Sequence, residues 1–280
     1  MTSRRGVSTE HQEICALLVQ LSARAEALVM EVYHAPFSVE FKGPADPVTL
    51  ADKRANELIV TELMRAFPGV PVVAEESPKE DYASYVDAER AFFVDPVDGT
   101  NEFVKKSGEF CVMLGYVERG APVVGVIGDP VRGLRYEGIL GEDCHARVVA
   151  ADGSSRDLAV SGVDFEQGLA VISRSHHSAT TDAALDRLRV PGRENYGSAG
   201  LKAMRVADGS AFCYLHAGYA GSRWDAAAPE AIARAAGASY TDLHGMLYRY
   251  DESDLGNSRG VLALPMHLAE EAQRRLGRHP

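Results

Sequence analysis

Several features that would redirect a functional reading are scarce or missing in this 280-residue chain. Cysteine is sparse: Cys15, Cys111, Cys144 and Cys213 are scattered, and no C-x-x-C pair occurs. That argues against a disulfide framework or a thiolate zinc site and for reduced thiols. No stretch approaches 18 uninterrupted apolar residues, and the N-terminal MTSRRGVSTEHQE has no apolar core leading to a cleavage site. Neither membrane insertion nor export is indicated, so the expected compartment is the cytoplasm. Basic charge is in the minority, with 29 Lys and Arg against 40 Asp and Glu, a formal net charge of -11. This argues against a nucleic-acid backbone as partner, since phosphate contacts need clustered Lys and Arg. It leaves room for a small phosphorylated molecule, which carboxylates can hold through divalent cations. There is no internal repeat, and the one low-complexity feature is an alanine-rich helix.

What remains is an ordinary globular composition, 46% hydrophobic and 25% charged. The length suits one large domain or two ordinary ones sharing a core. Ile14, Leu17, Leu18, Leu21, Leu28, Val29 and Val32 recur at helical spacing and predict an amphipathic helix over 9–33. A loop broken by prolines and glycines follows. ADKRANELIVTELMRAF then reads as a second helix ended by Pro68-Gly69. PVVAEE and RAFFVDP read as short strands ending in acids, and CVMLGYVERGAPVVGVIGDPV as a hairpin. A further strand pair is expected around Leu134 to Val149. The polar stretch ADGSSRD marks a soft boundary, giving an α+β N-terminal half, 1–155, and a C-terminal half, 156–280. In the second half, strands LAVISRS and AFCYLHA alternate with helices SATTDAALDRLR, GSAGLKAMRVADG and WDAAAPEAIARAAGA, an α/β pattern.

The chemistry concentrates in four acidic groups. In DPVDGT, Asp95 and Asp98 leave a strand end together, three residues apart, with Pro96 stiffening the link. Asp-Gly is a common turn pair, so a plain turn accounts for the motif taken alone. The other account is a site for a hard cation such as Mg²⁺, with the Val97 carbonyl placed to help. Gly99 would then let a phosphate approach, and Thr100 would open a helix whose free N–H groups attract an anion. In AEES, Glu75 and Glu76 also follow an apolar strand, although in isolation a solvated loop is the better account of them. Asp52 in DPVTLAD stands where a loop gives way to a helix, as an N-cap does. In RWDAAAPE, Asp225 reads as a helix N-cap with Pro229 and Glu230 in the first turn, and Trp224 as a core anchor.

Taken together and in this order, DPVTLAD, AEES, DPVDGT and WDAAAPE resemble the motifs of the lithium-sensitive, magnesium-dependent phosphatases that include inositol monophosphatase. The resemblance runs over nearly the whole chain. It implies a layered αβαβα sandwich with the active site between two subdomains. It also implies that Glu75, Asp95, the Val97 carbonyl, Asp98 and Asp225 hold two or three Mg²⁺ ions. Asp52 and Thr100 match the pair that orients and deprotonates the attacking water. Ala74 stands where the family usually has glycine, at a position that is not a ligand.

Within that family, DGTNEF, VISRSH, GSAGLK and TDLHGMLYRY with NSRGVLA resemble the 3'(2'),5'-bisphosphate nucleotidase branch. The expected substrate is 3'-phosphoadenosine 5'-phosphate, with its sulfated analogue, which places the chain in sulfur metabolism. A bisphosphate has a second anion to be held away from the metals, and Ser173, His176, Ser198 and Lys202 are the candidates to hold it. Gly99, Thr100 and Asp225 would border the cleaved group. The same residue types also fit a helix cap, a surface histidine and a solvated lysine. Two alternatives stand beside this reading: an inositol or sugar monophosphatase, and a non-catalytic regulatory binding protein. A monomer and a homodimer are both compatible with the sequence.

Overall fold

The structure, a computed structural model, describes residues 8–43, 46–141, 144–176 and 178–277. The first half runs α1 (Thr9–His34), β1 (Val39–Gly43), β2 (Asp46–Thr49), α2 (Leu50–Ala66), β3 (Val72–Ala74) and α3 (Lys79–Tyr82). It continues with β4 (Arg90–Asp98), α4 (Thr100–Val104), β5 (Cys111–Glu118), β6 (Ala121–Asp129), β7 (Leu134–Ile139), β8 (His145–Ala150) and β9 (Ser155–Asp157). The second half runs β10 (Leu169–Ser173), α5 (Ala179–Leu188), β11 (Gly192–Tyr196), α6 (Ala199–Ala207), β12 (Cys213–His216) and α7 (Trp224–Ala235). It closes with β13 (Ala238–Thr241), β14 (Val261–Pro265) and α8 (Ala269–Arg275).

A seven-stranded sheet follows chain order from β3 to β9; β3 pairs parallel to β4 and every later neighbour is antiparallel. A five-stranded sheet has the order β11-β10-β12-β14-β13, parallel across its first three strands and antiparallel thereafter. The apolar stripe of α1, with Ile14, Leu18, Leu21, Ala25 and Val29 buried, lies with α2 on one face of the large sheet. Between the sheets lie α6 and α7, and α5 and α8 cover the outer face of the small sheet. This is the αβαβα sandwich. Its middle layer joins residues of both halves, Phe93, Met113 and Ile127 with Val171, Tyr214 and Val261. Among the described residues, no helix is long and apolar enough to cross a membrane.

The seat of α7 is decided by three glycines. Gly115, Gly125 and Gly138 stand side by side across β5, β6 and β7. A Cβ on each would come 2.7 Å from the Ala227 Cβ, 2.4 Å from the Ala228 carbonyl oxygen and 2.6 Å from the Ile232 Cα. The row of missing side chains is therefore a groove, and the small residues of AAAPEAI let the α7 backbone sink into it. The helix starts at Trp224 with Arg223 as its N-cap. The sequence-based reading of Asp225 as the cap is thus corrected: the chain turns two residues earlier, where the Arg223 carbonyl accepts the Ala226 and Ala227 N–H groups. Pro229 lies inside the helix rather than in its first turn, and its missing N–H leaves the Asp225 carbonyl without an i+4 donor.

The segment after α1, expected to be a loop, contains the β1–β2 hairpin. β1 buries little on either face, with Phe41 exposed, and β2 buries Pro47, Val48 and Thr49 in succession, so neither strand carries an alternation to detect. β11 escaped for a related reason, being an edge strand of sequence GRENY.

The glycine groove makes a direct prediction. Gly125→Ala should destabilise the protein by about 1–3 kcal/mol in urea unfolding and lower activity through α7. Gly141→Ala should be nearly neutral, since a Cβ there meets nothing within 4 Å.

Candidate active site

Two acids three residues apart on a regular strand face opposite ways, because side chains alternate. Here they do not. Asp95 pairs with Met113 and Asp98 with Cys111, so β4 carries one extra residue against β5. That bulge turns Asp98 to the side Asp95 already faces, and Pro96 sits within it, where no ladder N–H is missed. The Val97 N–H donates to Asp95 Oδ1 at 3.0 Å. Gly99 follows with φ +94°, a left-handed turn that releases the chain into α4.

The other acids arrive from neighbouring elements. Glu75 leaves the end of β3 beside β4, its N–H bonded to the Val94 carbonyl at 3.1 Å. Asp225 comes from the first turn of α7, where the Ser222 N–H donates to its Oδ2 at 2.6 Å. One carboxylate oxygen from each of Asp95, Asp98 and Asp225 lies within 4.8 Å of the others. Asp98 is the most firmly held. Its Oδ2 accepts the Gly200 N–H at 2.7 Å and the Ser198 hydroxyl, and the Cys111 thiol lies at 3.6 Å.

Burial first, and then the neighbouring carboxylates, push Asp95 and Asp225 well above the usual carboxylate range. Glu75 is pushed up to about 7, mainly by burial, against the pull of Lys42. Lys42 of β1 donates to Glu75 at 2.9 Å and to Glu76 at 2.7 Å, so the hairpin reaches across to the acids. A close group of hard oxygen donors, costly to ionise together, fits a hard divalent cation.

Behind this group Asp52 is fully buried. It is the N3 partner of a capping box, with Oδ2 accepting the Thr49 N–H at 2.7 Å and the Thr49 hydroxyl at 2.6 Å. The cap role expected for it therefore belongs to Thr49. Its other oxygen, Oδ1, accepts from the Thr100 hydroxyl at 3.2 Å, and that hydroxyl is also 3.0 Å from the Val97 carbonyl oxygen.

These residues border a cavity of about 620 Å³. Glu75, Asp98, Gly99, Thr100 and Asp225 line it, together with Ser173, His176, Ser198 and Lys202. Two of the latter differ from the simple picture of free donors. The Ser198 hydroxyl is taken by Asp98 and accepts the Leu201 N–H at 3.0 Å, so it positions a carboxylate rather than presenting a donor to an anion. The Lys202 ammonium is buried, not solvated; it donates to the Ser198 carbonyl at 2.6 Å and the Tyr196 carbonyl at 3.4 Å. Burial lowers its pKa. His176 stands at the exposed rim, its backbone N–H bonded to the Ser173 hydroxyl at 3.0 Å.

A scan of family models matches residues 10–279 to the inositol monophosphatase family. The chain belongs to that family. Among its relatives is the 3'(2'),5'-bisphosphate nucleotidase CysQ of Escherichia coli K12, 36% identical over 232 residues, which cover 81% of this chain and 89% of that one. Inositol monophosphatase 1 of Solanum lycopersicum is 29% identical over 260 residues, 92% of this chain and 93% of that one. The crystal structure of CysQ from Bacteroides thetaiotaomicron superposes with a TM-score of 0.76 at 27% identity, covering 91% of this chain and 98% of the other.

The structure also assigns contacts that the sequence did not disclose. Asn257, buried in a loop of turn-forming residues, staples the wall before α7. Its N–H donates to the Gly221 carbonyl at 2.8 Å and its side-chain amide to the Ser222 carbonyl at 2.6 Å; its own carbonyl accepts the Ala220 N–H at 3.0 Å. Arg223 bonds its side-chain oxygen and stacks over Tyr248. Asn257 opens the NSRGVLA run already noted by resemblance, but an asparagine beside Gly and Ser signals only a turn and says nothing of which wall it ties.

Glu75 holds its proton to about pH 7 in the folded state, against 4.5 for the free side chain. In ion-free protein this group therefore removes stability as pH rises from 4.5 through 7. A cation must displace that proton. A rise in Tm on adding a divalent cation, tested with Mg²⁺, should accordingly be largest near pH 8 and shrink as pH falls through 7. An ion at 100 times its Kd would add about 2.7 kcal/mol. Asp98→Asn and Asp225→Asn should each lose most of the rise in differential scanning fluorimetry.

Proposed function

We propose that this chain is a Mg²⁺-dependent cytoplasmic phosphatase that cleaves the 3'-phosphate of 3'-phosphoadenosine 5'-phosphate, and of its sulfated analogue, in sulfur metabolism. The observation that carries this reading is one cavity lined both by the acids Glu75, Asp98 and Asp225 and by Lys202 and His176. A substrate with one phosphate to cleave and a second to hold matches such a cavity. The nucleotidase activity named for the Escherichia coli relative supports the same choice. In this reading 1–155 supplies most metal ligands, and 156–280 supplies Asp225 and the contacts to the retained phosphate.

Glu75, Asp95, Asp98, Asp225 and the Val97 carbonyl are the residues that would hold two or three Mg²⁺ ions. When bound, the ions supply Lewis-acid polarisation of the phosphoryl oxygens and a lowered pKa for water. The chain's own part in moving the proton falls to Asp52 and Thr100. With Oδ2 of Asp52 occupied by Thr49, Oδ1 is left for the Thr100 hydroxyl. Thr100 donates to Asp52 and so turns a lone pair toward a water, whose proton it can accept as its own passes on. Burial raises the pKa of Asp52, which makes it a better proton acceptor than a solvated aspartate. The water oxygen forms the new bond to phosphorus while the bond to the 3'-oxygen breaks; one proton of the water passes through Thr100 to Asp52, and the leaving 3'-oxygen takes up a proton from solvent in the open cavity, so that one water is consumed. No covalent bond to the enzyme is needed. Elsewhere in the cavity lining, the third N–H of Lys202, the Ser173 hydroxyl and the His176 imidazole are the donors for the retained phosphate in this reading.

The test is phosphate release with Mg²⁺ from 3'-phosphoadenosine 5'-phosphate and inositol 1-phosphate side by side, with Asp98→Asn as blank. Strong preference for the nucleotide is expected. Preference for the inositol ester would shift the reading to the activity named for the Solanum relative, and turnover of neither would favour a binding protein. Asp52→Asn should lower kcat roughly 10²–10⁴-fold while keeping the Mg²⁺-induced rise in Tm. Li⁺ on the order of tens of millimolar should inhibit, as a competitor for an oxygen-lined cation position.

A further inference from the structure

Tyr219 is 63% exposed, an unusual state for a large aromatic ring, and it lines the same cavity as Asp225. Exposed tyrosines usually swing freely. This one is held at both ends. Its carbonyl accepts a hydrogen bond from the buried His216 at Nε2, 3.0 Å away, and its hydroxyl is 3.2 Å from the Ser222 hydroxyl. Its ring edge rests against Gly256, where a Cβ would come 3.3 Å from Cε2. The backbone on its C-terminal side is the stretch stapled by Asn257 through Ala220, Gly221 and Ser222. Gly218 and Gly221, with φ of +103° and +79°, let this short loop fold tightly around the ring.

The result is an aromatic surface already fixed in place beside the catalytic acids and open to the cavity. A ring that loses little freedom on binding is a suitable partner for a flat π-system. We propose that Tyr219 is the stacking platform for the nucleobase and so a specificity-determining residue. This rests on the nucleotide reading above. It adds the part of the substrate which neither the acids nor the basic residues can recognise.

The test is a two-by-two comparison: wild type and Tyr219→Ala, each with 3'-phosphoadenosine 5'-phosphate and with ribose 3,5-bisphosphate, the same ester without its base. Losing a base–aromatic stack should raise KM for the nucleotide about five- to a hundred-fold, with kcat within about twofold and Tm and its Mg²⁺ response unchanged. For the abasic ester the substitution should change nothing. Tyr219→Phe, which keeps the ring and loses the hydroxyl, should restore most of the nucleotide KM. An equal rise for both esters would make Tyr219 merely part of the wall and overturn the proposal, as would no rise at all. If wild type fails to turn over the nucleotide, the functional reading fails and this inference falls with it. If wild type turns it over and Tyr219→Ala does so with the same KM, this inference alone fails.

Discussion

The structure depends on how closely α7 lies on the large sheet. Asp95 and Asp98 belong to the first half of the chain and Asp225 to the second, and only the glycine row at Gly115, Gly125 and Gly138 brings them to one point. A single methyl group in that row would collide with the helix backbone rather than with a side chain that could turn aside. The core thus sets the geometry of the site. Packing of this kind is bistable rather than compliant, because protein interiors are as dense as organic crystals.

That convergence has an electrostatic cost. Carboxylates gathered in a buried place resist ionisation, which is why Asp95, Asp225 and Glu75 hold protons more tightly than usual. The fold opposes this with oriented donors: Val97 N–H on Asp95, Ser222 N–H on Asp225, and Gly200 N–H with the Ser198 hydroxyl on Asp98. Lys42 contributes a positive charge to the glutamates from the hairpin. Ser198 itself has a positive φ of 62°, a strained conformation for a residue with a side chain. Its hydroxyl caps α6 and holds Asp98 at once, so the strain sits where two constraints meet.

The walls around the acids follow a second logic. The wall before α7 has little regular structure, yet buried Asn257 and Arg223 tie it as firmly as a strand pair. Such a wall can vary its exposed residues without moving Asp225. Separating a fixed reaction centre from a variable rim is how one family can accept different phosphate esters on a shared fold.

The sequence by itself determined the pattern of helices and strands wherever burial leaves a period. The spacing of Ile14, Leu18, Leu21 and Val29 sufficed for α1, and the apolar run before Asp95 sufficed for β4. It also determined which acids to consider, because DPVDGT and WDAAAPE are dense in oxygen donors over a few residues. Tertiary structure alone decided the rest. The bulge that turns Asp98 toward Asp95 exists only against β5, and the seat of α7 only against glycines about 90–110 positions earlier in the chain. Lys42 meets Glu75 through a hairpin without periodicity, and Asn257 acts mostly through its own backbone and the backbone of a remote loop. Ser198 and Lys202 could be named as site residues from sequence, but not that one holds Asp98 and the other faces two carbonyls. Local sequence reports which faces are apolar and which residues can do chemistry. What those residues touch is set by contacts between distant segments, and no short pattern encodes them.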